Sequence, residues 1–318
     1  MVLKSCNHYF TLTLMKKQSN KYISAHLFYG DNLNFLLKKG VEPFINKHKK
    51  RFGHWFFIRY NENGQHIRLR ISIEETEFEK IKILMTNHFT YFFEKYPSTN
   101  TEIPYPKYPN NSIHFIDYQR ETKRYGTGVA IDYCFNKSSK FILKYLDESL
   151  EYENALIVAL LMNFHLVCAF SKGENRDNSI EKSHQIIVET YQTIYDNWLN
   201  YALHHTQFSK VEIEQQFDNI YQQQKEMLNE LIQDILQEHH TQTFDNDEFS
   251  NWKPAVVGYL SEILHANYNS AKATQILRDF VHLNNNRFGI SNFDEPLLAY
   301  LVLRIFDVYS ADFVGRTK

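Results

Sequence analysis

The alternation of apolar and polar positions predicts strands in the first part of the chain. Residues 9–15 (YFTLTLM) alternate, and residues 55–71 (WFFIRYNENGQHIRLRI) contain two strand patterns around Asn63-Gly64. An Asn-Gly pair favours a two-residue hairpin turn, because both central positions need φ above zero. Three further segments carry clear patterns: helical spacing at 32–50 and 74–96, and a strand pattern at 112–119.

After residue 135 the strand patterns give way to helical ones. The predicted helices are 137–147, 151–171, 178–204 and 210–240, with two or three more within 252–310. The sequence therefore predicts an α+β fold. A mixed sheet with helices packed on it occupies 1–135, and a mainly helical part occupies 136–318.

Composition and charge narrow the class of protein. The 318 residues are 43% apolar and carry a net charge of −2, which argues against general nucleic-acid affinity. The three cysteines are widely spaced, without a zinc or disulfide pattern, as is usual in a reducing cytoplasm. The most apolar run, 155–170, is shorter than a membrane span and contains Asn163 and His165, so it predicts a buried helix. We expect a soluble, cytoplasmic protein with no membrane span.

The 55–71 hairpin carries an unusual concentration of positive charge. A two-residue turn would place Arg59 opposite Arg68, with His66 and Arg70 on the same face. Like charges directly opposite each other cost stability. Acids from elsewhere in the chain could neutralise this face, or a bound anion could do so. The arginine fork suits carboxylate or phosphate recognition and favours the second interpretation.

A second charged stretch is DYQRETKRYG, residues 117–126. If it is helical, Asp117, Arg120, Glu121 and Arg124 share one face. These residues could form a surface ion-pair ladder. Alternatively, Glu121 orients Arg124 beside a substrate carboxylate.

A third stretch is DFVHLNNNRFGI, residues 279–290. It places His282, Asn285 and Asn286 together on a helix, with Arg287 just beyond and Gly289 as a C-cap. His282 could be a hydrogen-bonded structural residue or a general base, since histidine titrates near neutral pH. The chain shows no phosphate-binding glycine loop, dinucleotide fingerprint or convincing metal-ligand spacing.

Taken together and in this order, the three stretches resemble the C-terminal domain of class I lanthipeptide dehydratases. That domain also occurs alone in thiopeptide-type bacteriocin biosynthesis proteins. The resemblance rests on a Trp-containing strand with Arg-Tyr, then His-x-Arg-x-Arg, then Tyr-x-Arg-Glu-x-x-Arg-Tyr-Gly, and a looser late His with Asn-Arg and Gly. It covers nearly the whole chain. Thr127 departs from the pattern, because the family usually has a second glycine there.

The resemblance implies a single elimination-type domain over 1–318 that removes glutamate from glutamylated Ser or Thr of a precursor peptide, giving dehydroalanine or dehydrobutyrine. The large glutamylation region is absent. The implied partners are therefore a precursor peptide with its leader and a separate glutamyl-tRNA-dependent glutamylation protein. No cofactor or metal is implied. The implied catalytic residues are Arg68, Arg70, Arg124 and His282. The implied substrate-binding residues are Arg59, His66, Glu121 and Arg287.

Two other functions stay open from the sequence. Some stand-alone members of the family close a pyridine ring in thiopeptides by formal [4+2] cycloaddition. A non-catalytic module that binds the leader peptide is the other. Retention of the arginines in the HIRLR and RETKR segments favours elimination, because a departing glutamate carries two carboxylates.

Overall fold

The computed structural model describes residues 21–100, 107–125, 130–147, 149–174, 179–241, 256, 258–260 and 270–316. The strand predicted at 9–15 lies outside these ranges. So do Thr127 and part of the proline-rich connection after residue 100.

Within the described ranges the sheet has four strands: β1 (Lys21–Phe28), β2 (Trp55–Tyr60), β3 (His66–Ile73) and β4 (Ser112–Phe115). Their order is β2-β3-β1-β4, and each pairing is antiparallel. The α+β prediction is confirmed. The sheet was expected to be mixed, but the described strands form an antiparallel one. β1 was not predicted, although Ile23, Ala25 and Leu27 alternate with polar residues along it.

The helices form most of the rest of the described chain, and some of them pack against the sheet. They are α1 (Leu33–Phe35), a π-helical turn (Leu36–Val41), α2 (Glu42–His48), a 3₁₀ turn (Glu75–Glu77), α3 (Phe78–Lys95), α4 (Thr122–Tyr125), α5 (Ala130–Tyr145), α6 (Tyr152–Glu174), α7 (Ile180–His205), α8 (Lys210–Thr241), α9 (Ser270–Phe288) and α10 (Glu295–Arg316). The predicted break near Gly40 is this π-helical turn. The Gly40 carbonyl accepts a hydrogen bond from the His88 ring at 2.8 Å.

One sheet face is apolar and fully buried. Ala25, Leu27, Ile67, Leu69 and Ile71 are all inaccessible to solvent. This face lies against α3 and merges with a core that continues into the helical part. Burial of this apolar surface is the main stabilising contribution, because each large aliphatic side chain removed from water contributes about 1.5–3 kcal/mol.

Side chains from two helices cover the outer edge of β2, which has no neighbouring strand among the described residues. Asn136 donates to the Trp55 carbonyl at 2.7 Å, and the Phe57 amide donates to Ser139 at 3.2 Å. The other contacts come from α9: Arg287 Nε donates to the Phe57 carbonyl at 2.9 Å, and the Asn286 amide exchanges two bonds with the Arg59 backbone, at 2.9 and 3.0 Å. We call this set (Asn136, Ser139, Asn286, Arg287) the β2 seam. It joins the sheet to the helical part, because buried backbone groups need partners.

Within the described residues, one helical segment is long and apolar enough to cross a membrane. It runs from Tyr152 to Lys172, and 67% of its most apolar window is buried inside the protein. That burial is typical of a core helix and agrees with the prediction for residues 155–170.

Candidate active site

The register of the β2–β3 hairpin decides which arginines can meet. Tyr60 pairs with His66 and Arg59 pairs with Ile67, so five residues connect the strands instead of two. Asn63 (φ 64°) and Gly64 (φ 112°) do take the positive φ values expected of them. The difference of one residue places Arg59 on the opposite face from Arg68. The predicted Arg59–Arg68 pair is therefore wrong.

The face opposite α3 holds a group of basic side chains that we call the sheet face: His26, His66, Arg68, Arg70 and His114. His66 is buried, and its Nδ1 lies 2.6 Å from the Gly64 carbonyl. Its Nε2 accepts a bond from Arg68 Nε at 3.1 Å, which fixes a neutral tautomer with the proton on Nδ1. Burial lowers the pKa of His66 to about 4, and the Arg68 charge also lowers it.

His26 stacks on His66 with ring centroids 5.0 Å apart. Burial lowers the pKa of His26 to about 3, and the charges of its basic neighbours add to this effect. The sheet face therefore contains two imidazoles that stay neutral beside two guanidiniums.

The two guanidiniums of the sheet face rest on aromatic rings. Arg68 lies 3.3 Å from the centroid of Tyr60, and its Nη2 is 3.9 Å from Glu62. Arg70 lies 4.0 Å from the centroid of Tyr118. The Nε of Arg70 is buried and has no hydrogen-bond acceptor among the described residues, and burial lowers the pKa of this side chain. Rings neutralise a cation only weakly, so this face retains capacity for an anion.

Arg124 is satisfied by acids instead. Its Nε donates to Asp279 at 2.6 Å, its Nη2 contacts the second oxygen of the same carboxylate, and its Nη1 lies 3.4 Å from Glu121. The Asp279 hydrogen bonds raise the pKa of Arg124 above its ordinary value. The predicted Glu121–Arg124 contact is present. The predicted helical face is wrong, because α4 begins only at Thr122.

An open cleft of about 1140 Å³ lies at the end of the hairpin. Its walls come from the end of β2, the hairpin loop, α7 and the segment after α9; they include Arg59, Tyr60, Glu62, Tyr201, His282 and Phe293. Neither Arg68 nor Arg70 lines it. Arg68 nevertheless lies close, since it covers Tyr60 and pairs with Glu62, two of the lining residues.

His282 is held in this cleft by a buried carboxylate. Its Nδ1 lies 2.6 Å from Glu295 Oε1, and the Glu295 side chain is 0% exposed. Trp198 stacks on the imidazole at 4.7 Å. Burial raises the pKa of Glu295, while the bond to His282 and its charge oppose that shift. The pair leaves Nε2 of His282 directed away from the carboxylate.

A chain of asparagine side chains supports Glu295 from behind. Asn285 donates to Glu295 Oε2 at 3.1 Å and accepts from Asn163 at 2.7 Å, and Asn163 accepts from Asn284 at 3.0 Å. All three amides are buried. Sequence reasoning missed Glu295 and Asn163. The NNN run of α9 was a usable signal, because three consecutive amides on a core helix need buried partners.

The predicted site residues therefore fall into three groups. His282 and Arg59 share the cleft, while His66, Arg68 and Arg70 share the sheet face. Arg124 and Glu121 lie beside Asp279, which precedes His282 by about one helical turn. Arg287 is 0% exposed and contacts the Phe57 and Leu283 carbonyls, so it lies in the β2 seam and not in the cleft.

The lantibiotic biosynthesis dehydratase C-terminal family matches residues 23–306. The chain belongs to this family. Membership indicates a protein that modifies ribosomally made peptides. No curated protein matches the chain.

Solved structures share this fold at low sequence identity. The pyridine synthase TbtD from thiomuracin biosynthesis aligns with a TM-score of 0.71 and 13% identity, over 92% of this chain and 99% of that one. TsrL aligns at 0.60 and 12% identity, over 91% and 95%. The tRNA-dependent lantibiotic dehydratase MibB from Microbispora sp. 107891 aligns at 0.62 and 12% identity, over 97% of this chain but 29% of its own length.

Proposed function

We propose that this member of the family eliminates glutamate from glutamylated Ser or Thr residues of a precursor peptide. One observation carries the proposal. His282, oriented by the buried Glu295, opens on a cleft whose lining residue Tyr60 carries the Arg68 guanidinium, and Arg70 lies two residues farther along the same face of β3. This arrangement combines a base for the α-proton with cations for a carboxylate leaving group.

His282 is the proposed base. Its Nδ1 proton is donated to Glu295, so Nε2 carries the lone pair and can accept the α-proton of the esterified residue. The electrons of the Cα–H bond then form the Cα=Cβ double bond. The Cβ–O bond of the ester breaks, and the glutamate carboxylate takes its electron pair. The products are dehydroalanine or dehydrobutyrine and free glutamate.

Arg68 and Arg70 are the proposed groups that stabilise the leaving carboxylate. A carboxylate whose conjugate acid has a pKa of roughly 3.5 is a good leaving group without being protonated. Hydroxide is a poor one, because its conjugate acid has a pKa of about 15.7. The step therefore needs a pre-oriented positive charge more than an acid. Both side chains are fixed on β3, two residues apart and on one face.

The proposed partners follow from the reaction. Glutamylation must precede elimination, so we propose a separate glutamyl-tRNA-dependent protein that supplies the ester to the leader-bearing precursor. Such a partner acts in the cytoplasm. The β2 seam supports the proposal that residues 1–135 and 136–318 work as one domain.

The test is a mass assay with a precursor peptide already glutamylated on Ser or Thr. We expect loss of glutamic acid and formation of an alkene with wild-type protein. Arg68→Ala should bind the peptide and leave the ester intact. Arg51→Ala, which removes an arginine paired with Glu77 outside the cleft, is the matched control. Elimination by Arg68→Ala at the wild-type rate would contradict the role of the sheet face.

A second candidate function is pyridine formation between two dehydroalanines. It is favoured by one observation: Arg124 is already paired with Asp279, so it does not offer a free guanidinium to glutamate. A peptide that carries dehydroalanines distinguishes the two reactions, because ring closure with leader release supports cycloaddition. Unchanged mass of both peptides with tight leader binding would identify a binding module instead.

A further inference from the structure

Among the described residues that line the cleft, Arg59 is the one that carries a guanidinium. Nε donates to the Arg287 carbonyl at 2.9 Å, and Nη2 donates to Asn34 Oδ1 at 2.5 Å. The Arg59 backbone is held by Asn286 in the β2 seam. A guanidinium anchored at two nitrogens and at its backbone has already lost most of its conformational freedom, so it can bind a ligand at little further entropic cost.

This cation lacks a counter-charge in the part of the chain that the structure describes. Burial alone lowers its pKa, to about 10, with no acid contributing in the opposite direction. It is therefore still charged at neutral pH. Nη1 donates to no acceptor among the described residues, and Arg59 lines the cleft. A partly desolvated cation with open donors is stabilised when a carboxylate binds.

Gly289 leaves the space that this guanidinium occupies. A Cβ at residue 289 would lie 3.1 Å from Arg59 Nη1 and 3.2 Å from its Cζ. The residue also takes φ of +87°, which ends α9 and returns the Ile290 amide to the Asn285 carbonyl at 3.0 Å. The helix end that carries His282 is thus shaped around Arg59.

We propose that Arg59 binds the free carboxylate of the glutamyl group, the one not in the ester, and so positions the ester before His282. This inference rests on the proposed function. Arg59 and His282 line the same cleft, and Asn286, one helical turn beyond His282, holds the Arg59 backbone. The two carboxyl carbons of a glutamyl group are separated by four bonds of about 1.5 Å, so a carboxylate bound by Arg59 keeps the ester within this cleft. Arg59 is a binding residue here, while Arg68 and Arg70 act on the carboxylate that leaves.

The experiment compares two precursor peptides that differ in one group: a glutamyl ester and a glutaminyl ester of the same residue. They match in size, and only the first presents a free side-chain carboxylate. We expect wild-type protein to prefer the glutamyl ester in kcat/KM by about 10- to 100-fold, the usual contribution of a charge-assisted hydrogen bond. Arg59→Gln should reduce this preference to nearly one. Arg68→Gln should slow both peptides and keep the preference.

Two further variants decide the matter if Arg59→Gln does not fold. Arg59→Lys keeps the charge and loses the fork, and Asn34→Ala releases Nη2 without altering Arg59 itself. Both should weaken the preference several-fold. A preference that persists in the folded variants would overturn the assignment, even if elimination itself is observed.

A binding measurement separates this inference from the proposed reaction. Calorimetric titration with glutarate should show binding to wild-type protein and at least a tenfold weaker affinity in Arg59→Gln. If glutarate binds through Arg59 but no peptide loses glutamate, the result supports the carboxylate site and contradicts the proposed elimination reaction. If glutarate binds both proteins with equal affinity, the proposal that Arg59 binds the carboxylate is wrong.

Discussion

The cleft and the sheet face hold similar side chains in opposite ways. On the sheet face, Arg68 and Arg70 lie on tyrosine rings, and His66 is buried and neutral. In the cleft, Arg59 is held by carbonyl and amide oxygens, and His282 by a buried carboxylate. A guanidinium that rests on aromatic rings can still bind an anionic ligand. A buried carboxylate, in contrast, fixes the imidazole that it contacts in one tautomer. The two environments therefore suit different steps of one reaction.

Replacing His282, the proposed base, should give the largest effect. His282→Gln can still bond to Glu295 but cannot accept a proton, so we expect turnover to fall about 10²- to 10⁴-fold. Binding of the glutamylated peptide should change little. Mass kinetics with equilibrium binding measures both quantities. Near-normal turnover in this variant would show that a residue other than His282 acts as the base.

The two buried histidines of the sheet face should make the free energy of unfolding depend on pH. In the unfolded chain His26 and His66 take up protons near their ordinary value of 6.5, but in the folded protein only near 3 and 4. Between those values the unfolded state binds more protons, so the free energy of unfolding falls as pH drops from about 6.5 towards 4. Each imidazole should contribute roughly 3 kcal/mol to this loss. Urea unfolding at several pH values tests it, and a His26→Gln variant should show a shallower slope.

Removing a contact of the β2 seam should mainly lower the free energy of unfolding and should change the chemistry of the sheet face little. Asn286→Ala removes two hydrogen bonds and leaves the Arg59 backbone groups without partners, which costs about 1–3 kcal/mol. Ser291→Ala, a change on the rim of the cleft, serves as the matched control. Thermal unfolding compares them. Equal stability of the two variants would show that water replaces Asn286 without loss.

The smallest effects are expected around Arg124. Glu121→Gln removes an exposed contact of 3.4 Å and should change the free energy of unfolding by less than about 0.5 kcal/mol. Asp279→Asn weakens the bidentate pair and should cost more. Chemical denaturation of both variants measures the difference. A larger loss of unfolding free energy for Glu121→Gln than for Asp279→Asn would show that Glu121, and not Asp279, is the main partner of Arg124.

Local patterns were sufficient for much of the fold. The hairpin, α3 and the long helices follow from alternation and helical spacing, and the Gly289 C-cap was predicted from the sequence. The hairpin register was not, because an Asn-Gly pair fits both a two-residue turn and this five-residue connection. The registers differ in the face of β2: Phe57, which is fully buried, pairs with Leu69 on the core face, whereas the two-residue turn would place Ile58 there.

The site was less accessible to sequence reasoning because its partners are distant in the chain. Glu295 follows His282 after a turn, and Asp279 meets Arg124 across 155 residues. Neither contact has a spacing that a local pattern could reveal. Arg287 illustrates a different point: a stretch singled out for function also contains residues that hold the fold, since its buried guanidinium donates to the Phe57 carbonyl.

In the part of the chain that the structure describes, side chains of the β2 seam, and not another strand, form the outer border of the sheet. An uncovered border is a template onto which a second chain can add, and such strand addition is a common start of aggregation. Helix α9 carries the histidine of the cleft and shields this border at the same time. A change that loosens α9 would therefore produce an inactive molecule that is also prone to self-association, and the two defects would arise together.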